Sequence, residues 1–142
     1  MPMSDAFSRR LLPRLEEISR VFGTPFHIYD EVGIRETART LTQAFSEVPS
    51  FREYFAVKAL PNPSILTLLR EAGFGFDCSS IPELILARQV GASGEDIMFT
   101  SNNTSPAEID AAVSDGGCII NLDDISLLDS LPNVPEKQGN MV

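Results

Sequence analysis

Four short apolar runs recur along residues 51–122 at a nearly constant interval, and this repeat limits the fold more than any other feature of the chain. Centred on Ala56, Phe76, Met98 and Ile120, the runs lie 20, 22 and 22 residues apart. They predict strands near 53–58, 74–78, 96–100 and 118–122, each followed by a polar turn, a helical stretch of about ten residues and a glycine-rich return. The helices start at Asn62-Pro63-Ser64, Ser80-Ile81-Pro82, Ser105-Pro106 and Asp123-Asp124, where capping residues and first-turn prolines belong. Strands that alternate with helices at this pitch pair in parallel through right-handed crossovers. The fold class is therefore α/β, either a doubly wound sheet or part of a (β/α)8 barrel.

The repeat is preceded by a different pattern in residues 1–50. Leu11, Leu12, Leu15, Ile18 and Phe22 give an amphipathic N-terminal helix, and Phe26-His27-Ile28-Tyr29-Asp30 reads as a strand. A helix from about Glu31 to Glu47 follows, with Ile34, Ala38, Leu41 and Phe45 on one face, ended by Pro49-Ser50. At the other end, residues 137–142 carry no strand pattern.

Composition removes several classes of function. With 142 residues, 43% hydrophobic and 22% charged, the chain is one globular domain or part of a larger one. No run approaches the roughly 18 apolar residues of a membrane span, and no apolar segment follows the arginines of the first twenty residues as a secretory signal requires; the expected location is cytoplasmic. Residues 1–70 hold nine bases against eight acids, residues 71–142 two bases against twelve acids. That balance argues against a nucleic-acid surface, which needs clustered Lys and Arg. Cys78 and Cys118 belong to no CxxC pair and read as reduced, buried thiols, with neither disulfide nor metal site. There is no GxGxxG after the first strand and no GxxxxGK[ST], so dinucleotide and P-loop sites are excluded.

In either α/β architecture ligands bind where the strands end. Lys58 closes the first strand, Asp77-Cys78-Ser79-Ser80 the second, Thr100-Ser101-Asn102-Asn103 the third and Asn121-Leu122-Asp123-Asp124 the fourth. Lys58 is one of two lysines in the chain, set in Tyr54-Phe55-Ala56-Val57-Lys58-Ala59-Leu60. Strand alternation would place it on a face with Tyr54 and Ala56, and an apolar enclosure would favour the neutral amine needed to form a Schiff base. A lysine snorkelling from a strand end fits the same local pattern.

The segments YFAVKALPNP (54–63), GFGFDCSSIPEL (73–84), DIMFTSNNTSPAEI (96–109) and CIINLDDISLLDSL (118–131), with GTPFHIYDE (23–31) ahead of them, resemble the amino-terminal half of the group III pyridoxal-phosphate decarboxylases, diaminopimelate decarboxylase above all. The resemblance implies about four βα units of a (β/α)8 TIM barrel over residues 51–136, preceded by a helix and a strand. It implies pyridoxal 5'-phosphate as cofactor, with Lys58 carrying it through a Schiff base. Asp77 takes the place of the acid close to that lysine, favouring and orienting the protonated nitrogen; a capping carboxylate is the alternative. Glu83 is similar to a glutamate near the cofactor, and is also a first-turn glutamate of the kind a helix dipole favours. Asn102 and Asn103 resemble an asparagine pair that holds the third loop. His27 matches no catalytic position.

The same resemblance implies a small amino-acid substrate and a homodimer. The family's stacking histidine, phosphate-cradling glycine loop and pyridine-pairing acid have no counterpart here, and Arg88 stands alone in mid-helix. A chain that leaves the family pattern at residue 137 is expected to be a shortened product without activity of its own. Two other readings share these residues: a non-catalytic half-barrel that pairs with a complementary half or with full-length subunits as decoy or assembly factor, and a PLP-binding homeostasis or racemase-like protein.

Overall fold

Proline 13 has no N–H to give to a preceding turn, and the amphipathic N-terminal segment breaks around it instead of forming one helix. The structure, a computed structural model, describes residues 3–131; the tail 137–142 lies outside them. The chain divides into two compact units that part between Phe45 and Ser46. In the first, α1 (Asp5–Leu11) and α2 (Leu15–Phe22) flank a 3-10 turn, Leu12–Arg14, and α3 spans Glu31–Ala44. Ser4 caps α1, its Oγ accepting from the Phe7 N–H at 3.2 Å. Arg10 of α1 is ion-paired with Asp30 at the start of α3.

The expected strand at 26–30 does not form. Its residues have the apolar character of a strand, but a strand exists only as one side of a ladder, and none of the described residues pairs with this segment.

The second unit is the βα repeat. Strands β1 (Tyr54–Ala56), β2 (Gly75–Cys78), β3 (Gly94–Thr100) and β4 (Cys118–Asn121) lie in sequence order and are all parallel. Helices α4 (Pro63–Glu71), α5 (Ile81–Gln89) and α6 (Pro106–Val113) follow the first three strands, each with proline in its first turn. After β4 the expected helix is a 3-10 helix, Ile125–Ser130.

Successive residues of a strand face opposite sides, and paired residues of parallel neighbours face the same side. One face of the sheet presents Phe76, Cys78, Ile97 and Phe99, all essentially inaccessible, toward the helix layer with Leu66, Leu84, Ala87, Ile109 and Ala112. Each large side chain so buried contributes about 1.5–3 kcal/mol. On the other face the ladder aligns Ala56, Asp77, Met98 and Ile119 in one row. This row is half-buried or exposed in the described residues and includes Asp77, the one carboxylate of strand β2.

The amino-terminal end of the sheet is tied shut by polar groups. The Tyr54 ring lies across β2 where Gly75 leaves room; a Cβ there would come within 2.6 Å of the ring and 2.9 Å of the Asp96 carbonyl oxygen. Tyr54 OH donates to the Glu95 carbonyl at 2.7 Å, in the stretch where the β3–β4 ladder skips between Gly94 and Met98. The Arg52 guanidinium sits 5.5 Å from the Tyr54 ring centre and donates to Asp96 Oδ1, while Arg70 donates to Asp96 Oδ2 at 3.1 Å. The hydrogen bond from Arg52, reinforced by its charge and by Arg70, holds the Asp96 carboxyl below its ordinary value against the opposing effect of burial.

Two outcomes follow. Gly75→Ala forces the Tyr54 ring and the β3 backbone apart and lowers stability by about 1–3 kcal/mol, read from the urea midpoint; an unmoved midpoint refutes this close approach. Asp96 is depressed when folded, so its contribution is fully present above the ordinary value of 3.8 and is lost as pH falls through the lower folded value. Asp96→Asn is therefore less stable than the parent by about 2 kcal/mol at pH 7, and the difference narrows in acid unfolding measured below about pH 4.

Candidate cofactor site at the carboxyl rim

Lys58 does not extend β1. The strand ends at Ala56, and Val57–Ala59 form a single 3-10 turn closed by the Leu60 N–H on the Val57 carbonyl at 3.2 Å. Strand alternation consequently stops short of Lys58. Val57 is fully buried and anchors the turn on one side. On the other, Asn62 caps α4, its Oδ1 accepting from Ser64 N–H at 3.0 Å and Ile65 N–H at 3.4 Å. Between these two fixed points Lys58 is exposed, and its amine makes no hydrogen bond or ion pair among the described residues. The apolar enclosure expected from its sequence neighbours is not built by this part of the chain.

Asp77 occupies the neighbouring strand, paired with Ala56 on one side and Met98 on the other. Its Oδ1 is buried and has no hydrogen-bond partner. A buried carboxylate oxygen left without a donor costs free energy, on the order of 1–3 kcal/mol, that most proteins avoid. Ladder pairing thus sets an unpartnered acid beside the strand that leads, two residues on, to an unpartnered amine.

Glu83 is not free in this way. Its carboxylate accepts from the Ser79 N–H at 3.2 Å, the Ser79 hydroxyl at 3.2 Å and the Ser80 hydroxyl at 2.8 Å. Cys78, between Asp77 and this turn, is fully buried. Burial first, then the negative charges of Glu83 and Asp77, push its thiol up to about 12, so it is no nucleophile at neutral pH.

The third and fourth rim loops are tied to each other. Asn103 adopts a left-handed backbone, φ 56°, and its N–H donates to Asp123 Oδ2 at 3.2 Å. Ser101 and Thr104 are buried, with the Thr104 hydroxyl donating to the Ser101 carbonyl at 3.3 Å. Asn102 is exposed at the tip. Ser101 belongs to the rim set read from the sequence, whereas Thr104 was passed over, because a small polar residue in a loop gives no periodic signal. Arg88, expected to stand alone, is engaged: it donates to the carbonyls of Ala111, Ala112 and Ser114 at the end of α6 and lies 3.7 Å from Asp115. A cation over the last carbonyls of a helix is favoured by their dipoles. Its partners are more than twenty residues away, beyond the reach of local pattern.

The fold and the rim define a class, the lysine-bearing part of a pyridoxal-binding (β/α) barrel. Residues 33–142 match the family model described as the pyridoxal-binding domain of pyridoxal-dependent decarboxylases, and the chain belongs to that family. It is 51% identical over 136 residues to Protein TabA of Pseudomonas amygdali pv. tabaci, covering 96% of this chain and 32% of the relative. It is 38% identical over 124 residues to the diaminopimelate decarboxylase of Halalkalibacterium halodurans, covering 86% and 28% respectively. The crystal structure of diaminopimelate decarboxylase from Helicobacter pylori complexed with L-lysine superposes with a TM-score of 0.74 at 32% identity, over 82% of this chain and 29% of that one. The chain thus spans about a third of the length of the relatives it matches.

Pyridoxal 5'-phosphate is the family's cofactor, and the residues present fit it: among the described residues an amine without a competing bond follows β1, and a buried carboxylate oxygen without a donor lies on the adjacent strand β2. The phosphate is not provided for among the described residues of this unit. Arg52 and Arg70 are bound to Asp96 and Arg88 to α6, which leaves Lys58 as the one cation at the rim.

The thiol geometry carries its own test. At pH 8 Cys78 reacts with Ellman's reagent at least about 100-fold more slowly in the native chain than in urea, as peptide mapping of the labelled protein reads out. Rapid native labelling at Cys78 would contradict its burial.

Proposed function

We propose that this chain supplies the amino-terminal part of the active site of a pyridoxal-phosphate-dependent amino-acid decarboxylase, in which Lys58 holds the cofactor and Asp77 sets its charge. The observation that carries the reading is the orphaned Asp77 oxygen on the strand next to the lysine-bearing turn. Lys58 Nζ is the amine that would hold the cofactor, and to act as a nucleophile it must first give up a proton. Asp77 Oδ1 is an acceptor for the proton held at that nitrogen, and its negative charge favours the cationic form there. Bound pyridoxal phosphate supplies the electron-withdrawing ring that lets an α-carboxylate leave as carbon dioxide. Glu83 stands close to Asp77 along the chain but is held by three hydrogen bonds from the serine turn, so a direct bond to the cofactor is not its part in this reading.

The substrate in this proposal is a small amino acid. Diaminopimelate is favoured by relatives that carry its name at 31–38% identity, whereas the relative at 51% has a name that states no substrate. Since the rim has no second cation among the described residues, phosphate recognition falls to residues beyond those described, in further barrel strands or in a partner subunit. By itself the described part is proposed to be inactive. Both outer strands, β1 and β4, have one edge unpaired among the described residues, which suits completion by a complementary half or assembly into the homodimer proposed for the complete enzyme in the cytoplasm.

Pyridoxal phosphate titration of the chain, borohydride reduction and peptide mapping test the assignment. Three amines compete, Lys58, Lys137 and the N-terminus. Labelling concentrates on Lys58, disappears in Lys58→Ala and falls markedly in Asp77→Asn. Equal labelling of all three amines would sink the assignment of Lys58.

A further inference from the structure

The motif Ser-x-x-Glu occurs twice at helix starts of the second unit, and the two copies behave differently. At α6, Ser105 and Glu108 close a reciprocal capping box: Ser105 Oγ accepts from the Glu108 N–H at 3.4 Å, and Glu108 accepts from the Ser105 N–H at 2.8 Å. This is the arrangement that satisfies two free amides of a helix start. At α5, Ser80 makes no side-chain cap bond, and Glu83 reaches one residue further back, to the N–H and hydroxyl of Ser79. The bonding has moved off the helix and onto the turn that leaves β2, two residues after Asp77.

Asp77 needs that support from outside its own side chain. Its buried oxygen has no donor to fix it, so its orientation depends on the backbone on either side. The ladder to Ala56 and Met98 fixes the strand side. The other side is the peptide joining Cys78 to Ser79, whose N–H is held by Glu83. Burial first, and then the negative charges of Glu83 and Asp77, raise the Cys78 thiol that lies between Asp77 and this turn in the chain.

We propose that Glu83 is a positioning residue: through the Ser79–Ser80 turn it holds the Asp77 carboxylate aimed into the rim, and it does so without touching the cofactor. What Asp77 is held for rests on the reading of the preceding subsection; that it is held by Glu83 does not. A glutamate in the first turn of a helix is ordinarily a cap, so the distinction lies in what its removal moves.

The experiment is NMR on the chain itself at pH 7, following the Asp77 side-chain carboxyl carbon and the hydrogen exchange of the Ser79 amide. Glu83→Ala shifts the Asp77 resonance and speeds Ser79 exchange at least tenfold. Glu83→Gln, which keeps an acceptor oxygen, restores much of both. Ser105→Ala, an equivalent cap loss at α6, changes neither. Should Glu83→Ala fail to fold, Ser80→Ala, which removes the shortest of the three bonds, gives a smaller change of the same sign in Asp77. An Asp77 resonance that ignores Glu83, or that moves equally with Ser105→Ala, overturns the proposal.

Borohydride labelling by pyridoxal phosphate then separates the two readings. Loss of Lys58 labelling in Glu83→Ala equals that in Asp77→Ala, and the double variant loses no more. If the parent chain does not label at Lys58 while Asp77 still follows Glu83, the cofactor reading fails and the positioning role stands. If Lys58 labels while the two losses multiply, the positioning role fails alone.

Discussion

Strand β2 is the constraint from which the rest of the second unit follows. It is paired on both sides, so its residues alternate strictly, Phe76 and Cys78 into the helix layer and Gly75 and Asp77 onto the opposite face. A slip of one residue would carry Asp77 beneath the helices and lift Phe76 out of them. Burying an unpaired carboxylate in an apolar layer costs several kcal/mol, and exposing the phenylalanine forfeits about 1.5–3 more. The acid at the rim is therefore placed by the hydrophobic demand of the residues beside it, with no polar contact of its own.

The two ends of the sheet are treated in opposite ways. At the amino end Arg52 and Arg70 share the Asp96 carboxylate and Tyr54 covers Gly75, giving a base tied by charge and close packing, in which Arg52 Nε is buried without a partner among the described residues. At the carboxyl end a lysine and a carboxylate oxygen have no partners among the described residues, while Glu83 and Asn103 fix the loops around them. Barrels of this type divide their labour along the strand axis, stability at one end and chemistry at the other. A shared ion pair and close packing mark the first, and an amine and a carboxylate oxygen on a rigid support mark the second.

Much of this was legible in the sequence, for identifiable reasons. The strand repeat and three of the helix starts came from periodicity and from Asn62, Ser80 and Ser105, which act within a few residues. Lys58 and Asp77 were found on the rim because turns follow strands at a fixed interval. The failures involve pairing at a distance or competition between local options. Phe26–Asp30 has strand composition but no ladder partner in the described residues. Lys58 was placed in the strand, although the two prolines after it and the Asn62 cap tighten the chain into a turn first. Arg88 found helix carbonyls more than twenty residues on. Glu83 matches a capping box in spelling and departs from it by one residue, which no spelling reveals.

The inward commitment of the arginines shapes the electrostatic landscape around this unit. Residues 46–131 carry thirteen acids and four bases, and three of those bases are engaged at internal contacts, Arg52 and Arg70 on Asp96 and Arg88 on Asp115 and the end of α6. The far field is thus anionic, and a phosphate ester diffusing toward the rim climbs a repulsive potential until it is close enough to meet the lysine. Dissolved salt flattens that potential within a Debye length of about 8 Å at physiological strength, so ionic strength accelerates the encounter where most phosphate sites are slowed by it.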